Sequence, residues 1–288
     1  MAVVVLTVPV ASSVGCSDSG GALRREPEIS SLLTIPDIHS FVLPLDKYSM
    51  NPEQWRILQK ARRELLGRCV GRFGLKFIPQ QGVGSSRITQ NGDRYGISRA
   101  DVVSTHGYHP AEIPQAQSVQ GIPQATPDVD GVVQGTLKSF GGKLVPEGGC
   151  SGEADRILGH GAPEVPSGDK NLVRELSLRS FGESQGDSRV RAVFKSWSDC
   201  MRSRGFEYDN PREANNDRAF QSDKPSEREM AVAMADVKCK SETNLIAIWA
   251  TVETAYQEQY IVTYGHRLQV FEQSIDTALR NAAGVRAP

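Results

Sequence analysis

The stretch Cys69-Val70-Gly71-Arg72-Phe73-Gly74-Leu75-Lys76-Phe77 returns later in the chain as Cys200-Met201-Arg202-Ser203-Arg204-Gly205-Phe206-Glu207-Tyr208. Both read cysteine, apolar, two variable residues, one large residue, glycine, apolar, charged, aromatic. Each follows an amphipathic helical pattern. Before the first, Asn51 is an N-cap, Pro52 takes the first helical position, and Trp55, Ile57, Leu58, Ala61, Leu65 and Leu66 recur at helical spacing. Before the second, Val190, Val193, Phe194 and Trp197 do the same. The glycine five residues after each cysteine suits a left-handed helix C-cap, so both cysteines belong to the last turns of a helix.

Two further cysteines, Cys150 and Cys239, fall in later helical segments, and both are expected near the start of those helices. Four cysteines allow three connectivities. The repeat pairs Cys69 with Cys150 and Cys200 with Cys239. Closing loops of these lengths is worth roughly 4 kcal/mol each on the chain-entropy model. A zinc site is the competing use, but the spacings of 81, 50 and 39 residues contain no C-x-x-C knuckle. No metal and no cofactor is expected.

Working outward, residues 49–161 read as one disulfide-closed subdomain and 169–283 as a second, helical one. The proline-bearing stretch Ala162 to Gly168 lies between them. Within the first, His109 to Pro127 holds four prolines and four glutamines and reads as an extended loop. Gly141-Gly142 is a candidate hairpin turn between Leu137–Phe140 and Lys143–Val145. In the second, Ser226 and Glu229 form a capping box that opens a helical pattern of about 55 residues. As one rod it would measure roughly 80 Å. The alternative is a hairpin folded near Tyr264-Gly265. The stripe of Leu245, Ile248, Val252, Ala255, Leu268, Phe271, Ile275 and Leu279 must meet the rest of the chain or a partner. Glu227, Glu229, Lys238, Lys240 and Glu242 read as its solvated face.

At the other end, Ala2 to Val10 is almost wholly apolar, small residues follow, and Val14-Gly15-Cys16 closes the run. That is the pattern of a lipoprotein signal, with residues 1–15 removed, Cys16 lipidated, and 16–48 a polar, lipid-proximal tether. No Lys or Arg precedes the run, and Ser13 stands where a larger aliphatic residue is usual. A buried N-terminal strand is the competing reading. The run is too short to span a bilayer, which needs about 20 apolar residues. A lipidated chain is anchored to the membrane rather than inserted through it. An even set of four remaining cysteines suits an exported protein.

The chain has 288 residues, is 39% hydrophobic, and carries 16 Pro and 27 Gly with a net charge of −1. No basic run appears, so neither nucleic acid nor charge-driven membrane binding is supported. Gly182-Glu183-Ser184-Gln185-Gly186 matches the G-x-S-x-G nucleophile elbow, which needs a core strand before it and a histidine on a later loop. The only later histidine is His266, inside the long helical pattern. A turn between helices is the plainer reading. His106, His109, Asp101 and His160 form a weak metal pattern without H-E-x-x-H, and Gly82 to Ser86 lacks the lysine of a phosphate-binding loop.

Trp197-Ser198-Asp199-Cys200-Met201 with Gly205-Phe206-Glu207-Tyr208 and Pro211, Val232-Ala233, then Asp236-Val237-Lys238-Cys239-Lys240, resembles a family of uncharacterised secreted lipoproteins of high-GC actinobacteria. Val145-Pro146-Glu147-Gly148-Gly149-Cys150-Ser151-Gly152-Glu153-Ala154 is similar to a further block of that family. The resemblance covers roughly Met50 to Leu279 and implies an exported, disulfide-stapled, largely helical protein. It supplies no catalytic residue. The expectation is therefore a mainly α fold with a minor β-hairpin, anchored at the extracytoplasmic face of the cell membrane. Its expected role is binding or scaffolding without catalysis, with an envelope protein as partner through the C-terminal helix. The alternatives are a secreted serine hydrolase using Ser184 and a small-ligand-binding lipoprotein.

Overall fold

The computed structural model describes residues 25–78, 91–110 and 126–285. Among these the chain forms nine α-helices, α1 (Pro52–Gly71), α2 (Ala100–His106), α3 (Pro127–Gln134), α4 (Gly149–Leu158), α5 (Leu172–Gly186), α6 (Ser188–Ser203), α7 (Pro211–Asn215), α8 (Glu227–Glu242) and α9 (Leu245–Ala283). The only sheet among the described residues is the antiparallel hairpin of β1 (Ser139–Phe140) and β2 (Lys143–Leu144). The fold is mainly α, as the helical periodicity implies.

The local signals explain most helix ends. Asn51 caps α1 by accepting from the Gln54 amide, and Gln54 Oε1 in turn accepts from the Asn51 amide, with Pro52 in the first turn. Gly74 and Gly205 both adopt positive φ just beyond α1 and α6. The inward face of α1 is Leu58, Ala61, Leu65, Leu66 and Cys69. Trp55 and Ile57 do not join it and stay 52% and 42% exposed.

The C-terminal pattern is neither one rod nor a hairpin at Gly265. It breaks at Thr243-Asn244, where Asn244 takes a left-handed conformation at φ 55°. Asparagine tolerates that region better than other residues with a Cβ. Gly265 lies inside α9, whose 39 residues run about 58 Å at 1.5 Å per residue. This helix is the spine of the molecule. Its first third carries Leu245, Trp249, Ala250, Val252 and Tyr256 into an aromatic-rich core shared with α6 and α8. Its middle places Tyr260 and Leu268 against Leu172, Val173 and Leu176 of α5. Its end supplies Ala282 to a smaller aliphatic core built by α1, α3 and α4.

Two sequence boundaries change. Residues 16–48 read as a tether, yet the described part docks on the core, with Leu43, Leu45 and Tyr48 buried. The Leu33 amide donates to Thr251 Oγ1 and the Leu45 amide to Gln257 Oε1, so this segment runs as a strap along α9. The 49–161 subdomain is also not one spatial unit. Tyr95 sits in the aromatic core and α2 packs on α8, so residues 91–109 belong with the C-terminal elements. The chain thus alternates between a lobe (α1, α3, α4 and the hairpin) and a body (91–109 and α5 to α8), with α9 through both.

Candidate functional site

The cysteines pair as the repeat implies. Cys69 joins Cys150 and Cys200 joins Cys239, with Cα atoms 5.6 and 5.7 Å apart. Cys150 lies at the start of α4, but Cys239 lies in the last turns of α8 rather than near its beginning. Gly149 at positive φ lets the start of α4 press against the backbone of Val133 to Gly135, where any Cβ would collide. That contact presents Cys150 to α1. Each disulfide also carries an arginine and a glutamate. Arg72 Nη2 lies 3.1 Å from Cys69 Sγ and pairs with Glu153. Arg204 Nη1 lies 2.9 Å from Cys200 Sγ, and its Nη2 binds Glu242 at 2.8 and 2.9 Å. Glu153 and Glu242 each stand three residues after the second cysteine of their pair. The duplication therefore extends to the glutamate, while the arginine shifts by one position, three residues after Cys69 and four after Cys200.

Ser184 is not on an elbow. It lies in the last turns of α5, fully buried, donating to the Phe181 carbonyl and accepting from Trp249 Nε1 at 2.9 Å. Helix precedes it where an elbow needs a strand, and the turn falls at Asp187 instead. Trp249 explains the arrangement. Its ring stacks on Phe181 and meets Phe194 and Tyr95 edge-on, so its N–H needs an acceptor inside the core. Burial pushes the Asp187 carboxyl up, but the hydrogen bonds and charge of Arg189, with the Tyr256 hydroxyl, together hold it below its ordinary value.

The body also hides charges that the sequence pattern assigns to solvent. Glu229 and Lys240 are buried, together with Asp236 and Glu253. Asp236 accepts from Lys240 Nζ at 3.0 Å, Trp197 Nε1 at 2.9 Å and Tyr108 Oη at 3.2 Å. Burial nonetheless raises its carboxyl above the ordinary value, against the pull of those donors. Lys240 also donates to the Ile97 carbonyl. Glu253 of α9 gathers Arg94, Tyr95 Oη, Ser180 Oγ and Gln257 Nε2, tying the 91–95 segment and α5 to the spine. Asp46 of the strap joins through Asn91, and burial raises its carboxyl. No sequence signal marked these groups, since their partners lie up to 159 residues away.

The weak metal pattern disperses. His106 Nδ1 faces Thr105 Oγ1 and the Val102 carbonyl, while His109 faces Glu229 and the Ser222 carbonyl. His160 engages Asn281 through its own carbonyl. Asp101 pairs with Arg99. Cys16 and Gly82 to Ser86 lie outside the described residues.

Two shallow grooves are formed by described residues. One of about 460 Å³ follows α6 past Arg191, Phe194, Lys195, Asp199 and Arg202 to Asn210. The other, about 520 Å³ and mostly apolar, lies between Ala100 of α2 and the Met234, Ala235 and Val237 face of α8. Among the described residues no helix is long and apolar enough to cross a membrane. No protein-family model, curated protein or solved structure matches the chain.

Proposed function

We propose that this protein is a lipid-anchored, extracytoplasmic binding or scaffold component of the cell envelope, held at the membrane by Cys16 and working without catalysis. The observation that carries this reading is the pair of disulfides, each with its Arg–Glu ion pair, closing the lobe and the body separately. Disulfides persist in oxidising compartments, and a signal ending at Cys16 delivers a chain to one. The most reactive-looking side chains of the body support the same reading. Ser184 serves Trp249, and His109 serves Glu229.

The partner surface is narrower than a whole helix. The apolar stripe of α9 is used inside the molecule, so what it offers a partner is its outward middle, where Val262 is 87% exposed beside Glu258, Gln259 and His266. The apolar α2–α8 groove favours the small-ligand lipoprotein as the second reading.

The test uses the full-length protein and its Cys16→Ser variant in the native host. Wild type should enter the detergent phase and yield an acylated N-terminal peptide by mass spectrometry, and the variant should yield neither. Crosslinked pull-down from the same membranes should then return one stoichiometric envelope protein, lost with a charged residue at Val262. An aqueous, unmodified wild-type protein would overturn the anchor, and an empty pull-down would overturn the scaffold role.

A further inference from the structure

The corner where α2 leaves its helix is held by one unusual set of bonds. Glu229, the third residue of α8, does not complete its capping box. Ser226 Oγ accepts from the Glu229 amide, but the Glu229 carboxylate turns inward to the 107–109 segment. There its Oε1 accepts from the Tyr108 amide at 2.8 Å and faces His109 Nδ1 at 2.8 Å. Its Oε2 is buried with no hydrogen-bond partner among the described residues. A Cβ at position 107 would collide with this carboxylate, and Gly107 takes φ +56°, so the corner is shaped around Glu229. On the other side of the ring, His109 Nε2 meets the Ser222 carbonyl at 2.6 Å.

Both ring nitrogens of His109 therefore face acceptors. A neutral imidazole has one N–H and can satisfy only one of them, whereas an imidazolium donates to both. The carboxylate it faces is fully buried, so the cation also supplies the opposite charge that a buried carboxylate requires.

We infer that His109 and Glu229 form an acid-closed latch, in which the protonated imidazole pins the 107–109 end of the Ala100–His109 flap onto α8 and loss of that proton loosens that end. The Ser222 carbonyl and the Glu229 carboxylate both raise the affinity of His109 for its proton. The sign follows. A base whose proton is held more tightly in the folded state contributes stability below the ordinary imidazole value and loses it as pH rises through the raised one. Asp223 and Lys224, beside Ser222, are exposed, and several other charged groups near the corner have partners of their own. On α8 they are Asp236 with Lys240, and Tyr108 Oη binds that aspartate. Across α7, Tyr208 bonds to Asp217. On the flap itself Asp101 pairs with Arg99, and His106 bonds within its own helix.

The test is a pH titration of the intact, oxidised protein, following the His109 ring by NMR and the Tyr108 amide by hydrogen exchange. His109 should titrate above the ordinary imidazole value, and Glu229→Gln should lower it. Protection of the Tyr108 amide, corrected for intrinsic exchange, should fall by up to about tenfold per pH unit between the two values. His109→Gln should fold while losing that pH dependence, which keeps the test usable if Glu229→Gln does not fold. A His109 titration at or below the ordinary value would overturn the latch, as would a Tyr108 profile unchanged in His109→Gln.

Discussion

The lobe and the body carry the same staple on different interiors. Around Cys69–Cys150 the buried side chains are aliphatic, chiefly Leu65, Leu66, Val70, Val129, Val132 and Leu158. Around Cys200–Cys239 they are Trp197, Met201, Trp249 and Tyr95, and buried charges are wired among them. Among the described residues of α1, α3 and α4 no charged side chain is buried. The difference teaches that one kind of covalent staple can close an aliphatic interior or be combined with a buried polar network. The lobe depends on its covalent closure and aliphatic packing. The body adds bonds whose geometry admits one arrangement only.

The largest effect expected from breaking that comparison is loss of the lobe staple. Opening the 81-residue loop with Cys69→Ala and Cys150→Ala should destabilise by about 4.5 kcal/mol, and opening the 39-residue loop by about 4 kcal/mol. Urea unfolding of the two double variants measures both. The reverse order would show that the body leans on its disulfide more than on its wiring. Next comes Asp236→Ala, which strands Lys240 in the body interior and should cost about 3 kcal/mol. Thermal unfolding should show it, with the Trp197 fluorescence altered because its N–H loses an acceptor. Ser184→Ala should follow at about 1 kcal/mol, the worth of one neutral hydrogen bond to Trp249. A larger loss, or the loss of a hydrolytic activity, would give Ser184 a role beyond the core.

The smallest effect separates the two guarding ion pairs. Arg72→Ala and Arg204→Ala should each destabilise by under about 1 kcal/mol, since both pairs reach solvent. Arg204, with 25% of its side chain exposed against 52% for Arg72, should show the larger loss in the same denaturation series. Equal values would mean that the guards act on access to the sulfurs rather than on stability.

What was legible in the sequence was whatever is decided within a few residues. The Asn51-Pro52 start, the glycines closing α1 and α6, the Gly141-Gly142 hairpin and the pairing of cysteines all come from local signals repeated in register. The α8–α9 break was hidden because Asn244 looks like an ordinary helical residue until its φ is known. Helix α5 was hidden because its Ser- and Arg-rich sequence has weak periodicity, and Trp249, 65 residues from Ser184, gives that face its reason. Glu229 and Lys240 looked solvated because their partners, Tyr108, His109 and the Ile97 carbonyl, lie more than 100 residues away. Interiors that are polar cannot be read from periodicity, which assumes that charge faces water.

The two disulfides are sequential, not interleaved. For a chain that emerges amino end first, Cys150 reaches Cys69 while Cys200 is still to come. The gap of about 50 residues corresponds to several seconds at about 5–20 residues per second. Thiol oxidation at the fast end of its range falls within that window. Once the first pair has closed, Cys239 is the sole partner left to Cys200 among the four. In a chain oxidised as it emerges, order of arrival alone would select the native connectivity without sampling the two mispaired alternatives.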